Sequence, residues 1–79
     1  MKPTNFKEIV KQVIAQKAGL ETREVLDDMF FEDDLNLGEL EISEILEELE
    51  DEFKLDLLAN QPEIASVKEL LDLLQERLD

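Results

Sequence analysis

The chain has 79 residues and a formal charge of −14, from 22 acidic and 8 basic side chains, with no cysteine and no histidine. A domain this small buries only about 60% of the surface of its unfolded chain, which leaves no room for a deep active site. The two missing residue types exclude disulfides, thiolate chemistry and Cys-type zinc sites, and remove the usual general base near neutral pH.

The apolar residues are interrupted every few positions, so neither a signal peptide nor membrane insertion is expected. The expectation is one domain over residues 1–79, a monomer, in a cytoplasmic or organelle-matrix setting. In chain order, Thr4 or Asn5 caps a first helix, with Asn5 and Glu8 at capping-box spacing. Phe6, Ile9, Val10, Val13, Ile14 and Ala18 then recur on one face at three–four spacing. Gly19 ends this helix in the left-handed conformation, with Leu20 folding back as the apolar contact. Lys7, Lys11 and Lys17 give it a basic side.

Residues 21–37 form a long connection for so small a domain, which argues that it packs. Val25, Leu26, Met29, Phe30, Phe31, Leu35 and Leu37 are too many apolar residues for a solvated loop. Thr22 to Val25 is expected to make a short helical turn. Phe31 and Leu35 fasten the loop to the core, and Asp33 and Asp34 precede a helix N-terminus, where carboxylates are favoured.

The central helix starts at Gly38 and runs to Phe53. Leu40, Ile42, Ile45, Leu46, Leu49 and Phe53 are read as its buried stripe, with acids over the rest of its circumference. Leu55, Leu57, Leu58 and Ile64 bracket a segment of one or two helical turns, with Pro62 as its boundary. Ser66 and Glu69 make the capping box of a last helix, whose buried face is Val67, Leu70, Leu71, Leu74 and Leu78. No strand-like alternation and no internal repeat is present.

The charge is confined to one place. Between Glu24 and Phe53 there are fourteen acids and no Lys or Arg, so this segment carries the whole net charge. Nucleic acid and anionic lipid are poor partners for such a field, whereas a Lys/Arg-rich protein surface suits it. Asp33, Gly38 and Glu44 match the first, sixth and twelfth places of a calcium-binding EF-hand loop. The third and fifth places are Leu35 and Leu37, which cannot coordinate an ion, so no metal site is expected. Acids on the wet side of an amphipathic helix lack the desolvation that acid–base catalysis requires, and neither a nucleophile nor a phosphate cradle accompanies them. The chain is not read as an enzyme.

From Phe31 to Phe53 the sequence FEDDLNLGELEISEILEELEDEF resembles the acyl carrier protein family. Phe31, Asp33, Asp34 and Leu35 match the family's approach to its second helix, and Leu40 matches the leucine of the Asp-Ser-Leu motif. Leu49 through Phe53 match the helix end, in a register that needs no gap. The resemblance extends through the Gly19–Leu20 helix ending and the Ser66–Val67 start, with only the short third segment slightly shortened. It implies an all-α fold, a small acyl-carrier-like four-helix bundle of three longer helices, one short third helix and a long first loop.

In that family the motif serine bears 4′-phosphopantetheine as a phosphodiester, and the arm holds the acyl thioester. Here Gly38-Glu39-Leu40 stands at the motif, so Glu39 occupies the attachment position. A carboxylate cannot accept the arm in that linkage, and no cofactor is expected. Ser43 is the only alternative; aligning it with the motif serine would cost the helix a full turn before Phe53. Ser43 and Glu47 also replace small or flexible apolar residues that the family presents along this edge.

The resulting expectation is a carrier fold that does not carry, docking onto a Lys/Arg-rich protein surface through Glu39, Leu40, Glu41, Ser43, Glu44, Glu47, Glu48 and Asp51. Two rival readings are a functioning acyl carrier in thioester metabolism modified at Ser43, and an acidic module that buffers cations.

Overall fold

Three amphipathic stretches become α-helices, and two shorter ones become 3₁₀ segments, in a computed structural model that describes residues 6–78. The expected Thr4 or Asn5 cap lies outside the described residues. Helix α1 (Phe6–Ala18) buries Val10, Val13, Ile14 and Ala15, with Phe6, Ile9 and Ala18 half-buried beside them. Gly19 takes φ +74, and the Leu20 N–H donates to the Ala15 carbonyl at 2.9 Å. That six-to-one bond is the Schellman ending the glycine foretold, although Leu20 itself stays at the surface.

The long connection packs as expected. Its first turn is the 3₁₀ segment Thr22–Glu24, and Val25, Phe31, Leu35 and Leu37 are buried. An isolated antiparallel bridge pairs Phe30 with Ser66. The Phe31 N–H donates to the Ala65 carbonyl at 3.0 Å, and the Val67 N–H to the Met29 carbonyl at 2.9 Å. These bonds fasten the loop to the head of the last helix.

Two loop residues depart from expectation, since Leu26 and Phe30 are 52% and 50% exposed. Phe30 and Phe31 are neighbours on a bridging segment, where successive side chains point to opposite sides. Burying Phe31 therefore turns Phe30 outward. Leu26 lies on the outside of a turn closed by the Met29 N–H on its carbonyl at 3.2 Å.

Helix α2 (Glu39–Phe53) buries Ile42, Ile45, Leu46 and Leu49, and leaves Phe53 half-buried. Leu40 does not join the stripe; it is 69% exposed. Two residues along a helix is a rotation of about 200°, so Leu40 and Ile42 cannot share a face. Ile42 lies one turn from Ile45 and Leu46 and two turns from Leu49 on the same face, and takes the inward place. The helix ends with Lys54 at φ +59, followed by the Leu55 N–H on the Glu50 carbonyl at 3.3 Å.

The short third element is a 3₁₀ segment, Leu58–Glu63, with Pro62 inside it rather than at its boundary. The Ile64 N–H closes on the Gln61 carbonyl at 3.0 Å, which puts Pro62 at the second place of a tight turn, where its fixed φ is favoured. Helix α3 (Val67–Leu78) opens on the Ser66 box and buries Val67, Leu70, Leu71 and Leu74. Leu78 is exposed, so the buried face stops one turn earlier than its spacing suggested. The described residues form the expected all-α bundle: three longer helices, a short third element and a long first loop. Val10, Ile14, Phe31, Ile45, Leu46, Leu49, Leu57, Val67, Leu70 and Leu74 all lie at its fully buried centre.

Candidate functional site

The head of α2 is set by its own loop. Asp34 accepts the Phe30 N–H at 2.8 Å, the Leu37 N–H reaches the Phe31 carbonyl at 2.8 Å, and Asn36 turns the chain at φ +57. Asparagine tolerates that left-handed conformation better than most residues. Gly38 then caps the helix in extended backbone, its N–H donating to Glu41 Oε1 at 2.9 Å. Glycine has no side chain to return the bond, so only half of a capping box forms.

Glu39 is the first residue of α2, with its side chain exposed. Its backbone carbonyl accepts the Gln61 Nε2–H at 3.0 Å. Ser43 lies one turn on and half-buried, with Oγ 3.0 Å from that same carbonyl and 2.9 Å from Gln61 Oε1. Both are acceptors, so the one hydroxyl hydrogen is shared between them. Gln61 thus ties the 3₁₀ segment across the first turn of α2.

The other side chains expected to meet a partner divide into two groups. Leu40, Glu47, Glu48 and Asp51 are exposed. Glu41 is partly engaged at the cap, and Glu44 is paired with Lys17 of α1 at 2.8 Å. That hydrogen bond to Glu44 raises the lysine pKa, and the charges of Glu44, Glu48 and Glu41 add to the effect against some desolvation. The basic side of α1 is therefore directed at the acidic middle: Lys11 and Lys7 likewise meet Asp27 at 2.6 and 3.4 Å. Hydrogen bonding from Lys11 leads in holding the Asp27 carboxyl below its usual range. At the far end of α2, Glu50 folds inward and accepts the N–H groups of Leu57 and Leu58 at 2.6 and 2.9 Å, which lower its pKa.

Beside the first turn of α2 lies a groove of about 790 Å³. Phe30 and Leu40 contribute exposed apolar surface to it, and Ile42, Leu58 and Ile64 contribute apolar lining from the core side. Glu32, Asp33 and Glu39 supply its charge, with no Lys or Arg among the lining residues. Phe30, Glu32 and Gln61 did not stand out in the sequence as site residues, and Asp33 did so only as the first place of an incomplete calcium loop. A period-two reading of the Phe30–Phe31 pair would have marked one aromatic as outward, but Gln61 carries no local signal. Among the described residues no cluster of three or more acids is arranged to hold a metal ion.

No protein-family model matches the chain. An acyl carrier protein of Exiguobacterium sibiricum is 39% identical over 54 residues, covering 68% of each chain. The chain belongs to the acyl carrier protein family. An acyl carrier protein of Buchnera aphidicola subsp. Baizongia pistaciae is 27% identical over 73 residues, 91% of this chain and 94% of that one. Both relatives are named as carriers, and the three-helix core with its short third element is the fold that the family resemblance implied. Among the described residues of this carrier-family chain, no helix is long and apolar enough to cross a membrane.

Proposed function

We propose that this chain is an acyl-carrier-family docking module that does not bear 4′-phosphopantetheine. The observation that carries the reading is Glu39: an exposed carboxylate at the first position of α2, where the family register calls for the attachment serine. Thr4, Thr22, Ser43 and Ser66 are the only Ser and Thr residues in the sequence. Ser66 is buried in the cap of α3, and the Ser43 hydroxyl is taken up by Gln61 and the Glu39 carbonyl.

The module docks as a monomer, in a cytoplasmic or organelle-matrix setting, on a Lys/Arg-rich protein surface. Glu39, Leu40, Glu47, Glu48 and Asp51 lead the contact, and Glu41, Ser43 and Glu44 lie at its edge. Eight acids and no base along α2 support that choice of partner, because complementary fields steer encounter and set register.

Incubation with coenzyme A and a promiscuous phosphopantetheinyl transferase tests the reading by intact mass. The native chain is expected to keep its mass, whereas a Gly38→Asp, Glu39→Ser variant acquires the arm. Addition of the arm to the native chain, at Ser43 above all, would return the protein to the working carriers. Reversal of Glu47 and Asp51 to Lys, which leaves the Lys17–Glu44 pair intact, is expected to weaken partner capture most strongly at low salt.

A further inference from the structure

Peroxide has few places to act on this chain. Cysteine, histidine, tryptophan and tyrosine are all absent, and the only sulfur atoms are the thioethers of Met1 and Met29. Met1 lies outside the described residues. Met29 is half-buried, at the end of a turn that its own side chain helps to close. The Met29 N–H donates to the Leu26 carbonyl at 3.2 Å, and the Leu26 N–H donates to Met29 Sδ at 3.5 Å. The side chain packs against the core, and the Met29 carbonyl accepts the Val67 N–H at 2.9 Å. This thioether therefore sits where the long loop is fastened to the head of α3. We propose that Met29 is a redox modification site, oxidised by hydrogen peroxide to the sulfoxide, and that this oxidation releases the first loop from α3. It does not depend on the docking reading above.

A lone pair of the sulfur attacks one peroxide oxygen, and the O–O bond breaks as the S–O bond forms. The sulfur loses two electrons and the peroxide takes them up. The proton on the transferred oxygen moves to the departing hydroxide, giving water. A thioether has two lone pairs, so the bond from Leu26 leaves one for the oxidant. Neutral peroxide is not repelled by Asp27 and Asp28 beside the site, whereas an anionic oxidant would be.

The product is polar and larger, and it cannot keep the thioether's place against the core without burying an unpaired oxygen. Turning outward, it pulls on the residue whose carbonyl holds Val67, and on the Phe30–Ser66 bridge one residue further along. The chain has no thiol to reverse the step. Reduction needs an external dithiol, which becomes a disulfide as the oxygen leaves in water.

The full native chain is treated with hydrogen peroxide, digested and read by peptide mass. Met29 is expected to gain one oxygen at a rate within about tenfold of free methionine, because it is half-buried rather than enclosed. The oxidised chain is expected to melt at least about 4 °C lower. Its Phe31 and Val67 amides, which hold the loop to α3, are expected to exchange with deuterium at least about tenfold faster. Methionine sulfoxide reductases of both stereospecificities, with dithiothreitol, are expected to restore both values. Met29→Leu keeps volume and apolarity, so its melting is expected to ignore peroxide, which separates Met29 from Met1. Met29→Gln, polar and of similar length, is expected to reproduce the faster exchange without oxidant.

Slower oxidation of Met29 than this would overturn the modification site. Oxidation that leaves the melting temperature and both amides unchanged would overturn the release of the loop, as would a fall in melting temperature that Met29→Leu shares.

Discussion

Glu50 is the residue whose chemistry departs most from its place in the pattern. Its spacing assigns it to the wet circumference of an acidic helix, yet its carboxylate caps the chain beyond that helix by accepting two backbone N–H groups. Those bonds favour the charged form and lower its pKa below that of the unfolded chain. A group with a lowered folded pKa stabilises the protein above its unfolded pKa, near pH 4.3 for a glutamate, and that contribution is lost as pH falls through the lowered value. Asp27, lowered by Lys11 and Lys7, acts with the same sign. Urea unfolding between about pH 5 and about pH 3 is expected to show stability falling less steeply in Glu50→Gln than in the native chain. Equal slopes would show that the Glu50 bonds do not survive in solution. Lys54 is the other residue held against its preference, since it takes the left-handed conformation that glycine usually supplies at a helix end.

Among the elements whose starts are described, α3 has the most complete one. The Ser66 and Glu69 side chains exchange bonds with each other's backbone N–H at 3.2 Å, and Glu69 also accepts the Ala65 N–H at 2.7 Å. Ser66 is buried and pairs through the bridge with Phe30, so one position joins the helix cap to the long loop. Ser66→Ala is expected to cost about 1 kcal/mol in chemical denaturation, the usual worth of a lost N-cap. A loss well below that would mean that Glu69 and the bridge hold the helix start without the hydroxyl. The 3₁₀ segment Leu58–Glu63 is held differently, by contacts reaching it from elsewhere. Arg77 of α3 reaches the Asp56 carbonyl at 2.7 Å and Asn60 Oδ1 at 2.6 Å, while Gln61 spans to α2. These tethers, rather than its own propensity, place the segment beside the groove.

For the molecule as a whole, the balance lies between self-repulsion and a small core. Lys17–Glu44 and the Lys7 and Lys11 contacts to Asp27 answer part of the acidic middle. Surface pairs of this kind are weak, because water and salt screen them, whereas fourteen acids without a base between Glu24 and Phe53 repel across the whole segment. Screening therefore removes more repulsion than attraction. The melting temperature at neutral pH is expected to rise as NaCl increases from about 10 mM to about 0.5 M, where the Debye length falls well below the size of the domain. A melting temperature indifferent to salt would mean that these acids are not in conflict in the folded state.

The sequence by itself determined the three longer helices, the ends at Gly19, Gly38 and Ser66–Glu69, and the family, because those rest on bonds and spacings within a few residues. Gly19, Gly38 and the Ser66–Glu69 box act on backbone groups no more than five positions away, and the gapless Phe31–Phe53 register needs no contact at all. The packed structure decided which side of each apolar set faces inward, turning Leu40 and Phe30 out and Ile42 and Phe31 in. It also decided which polar groups meet: Lys17 finds Glu44 27 residues on, and Gln61 finds Ser43 across 18 and the Glu39 carbonyl across 22. Those pairings depend on where whole helices dock, which no local pattern encodes, and the Gln61 contacts set one wall of the groove at the head of α2.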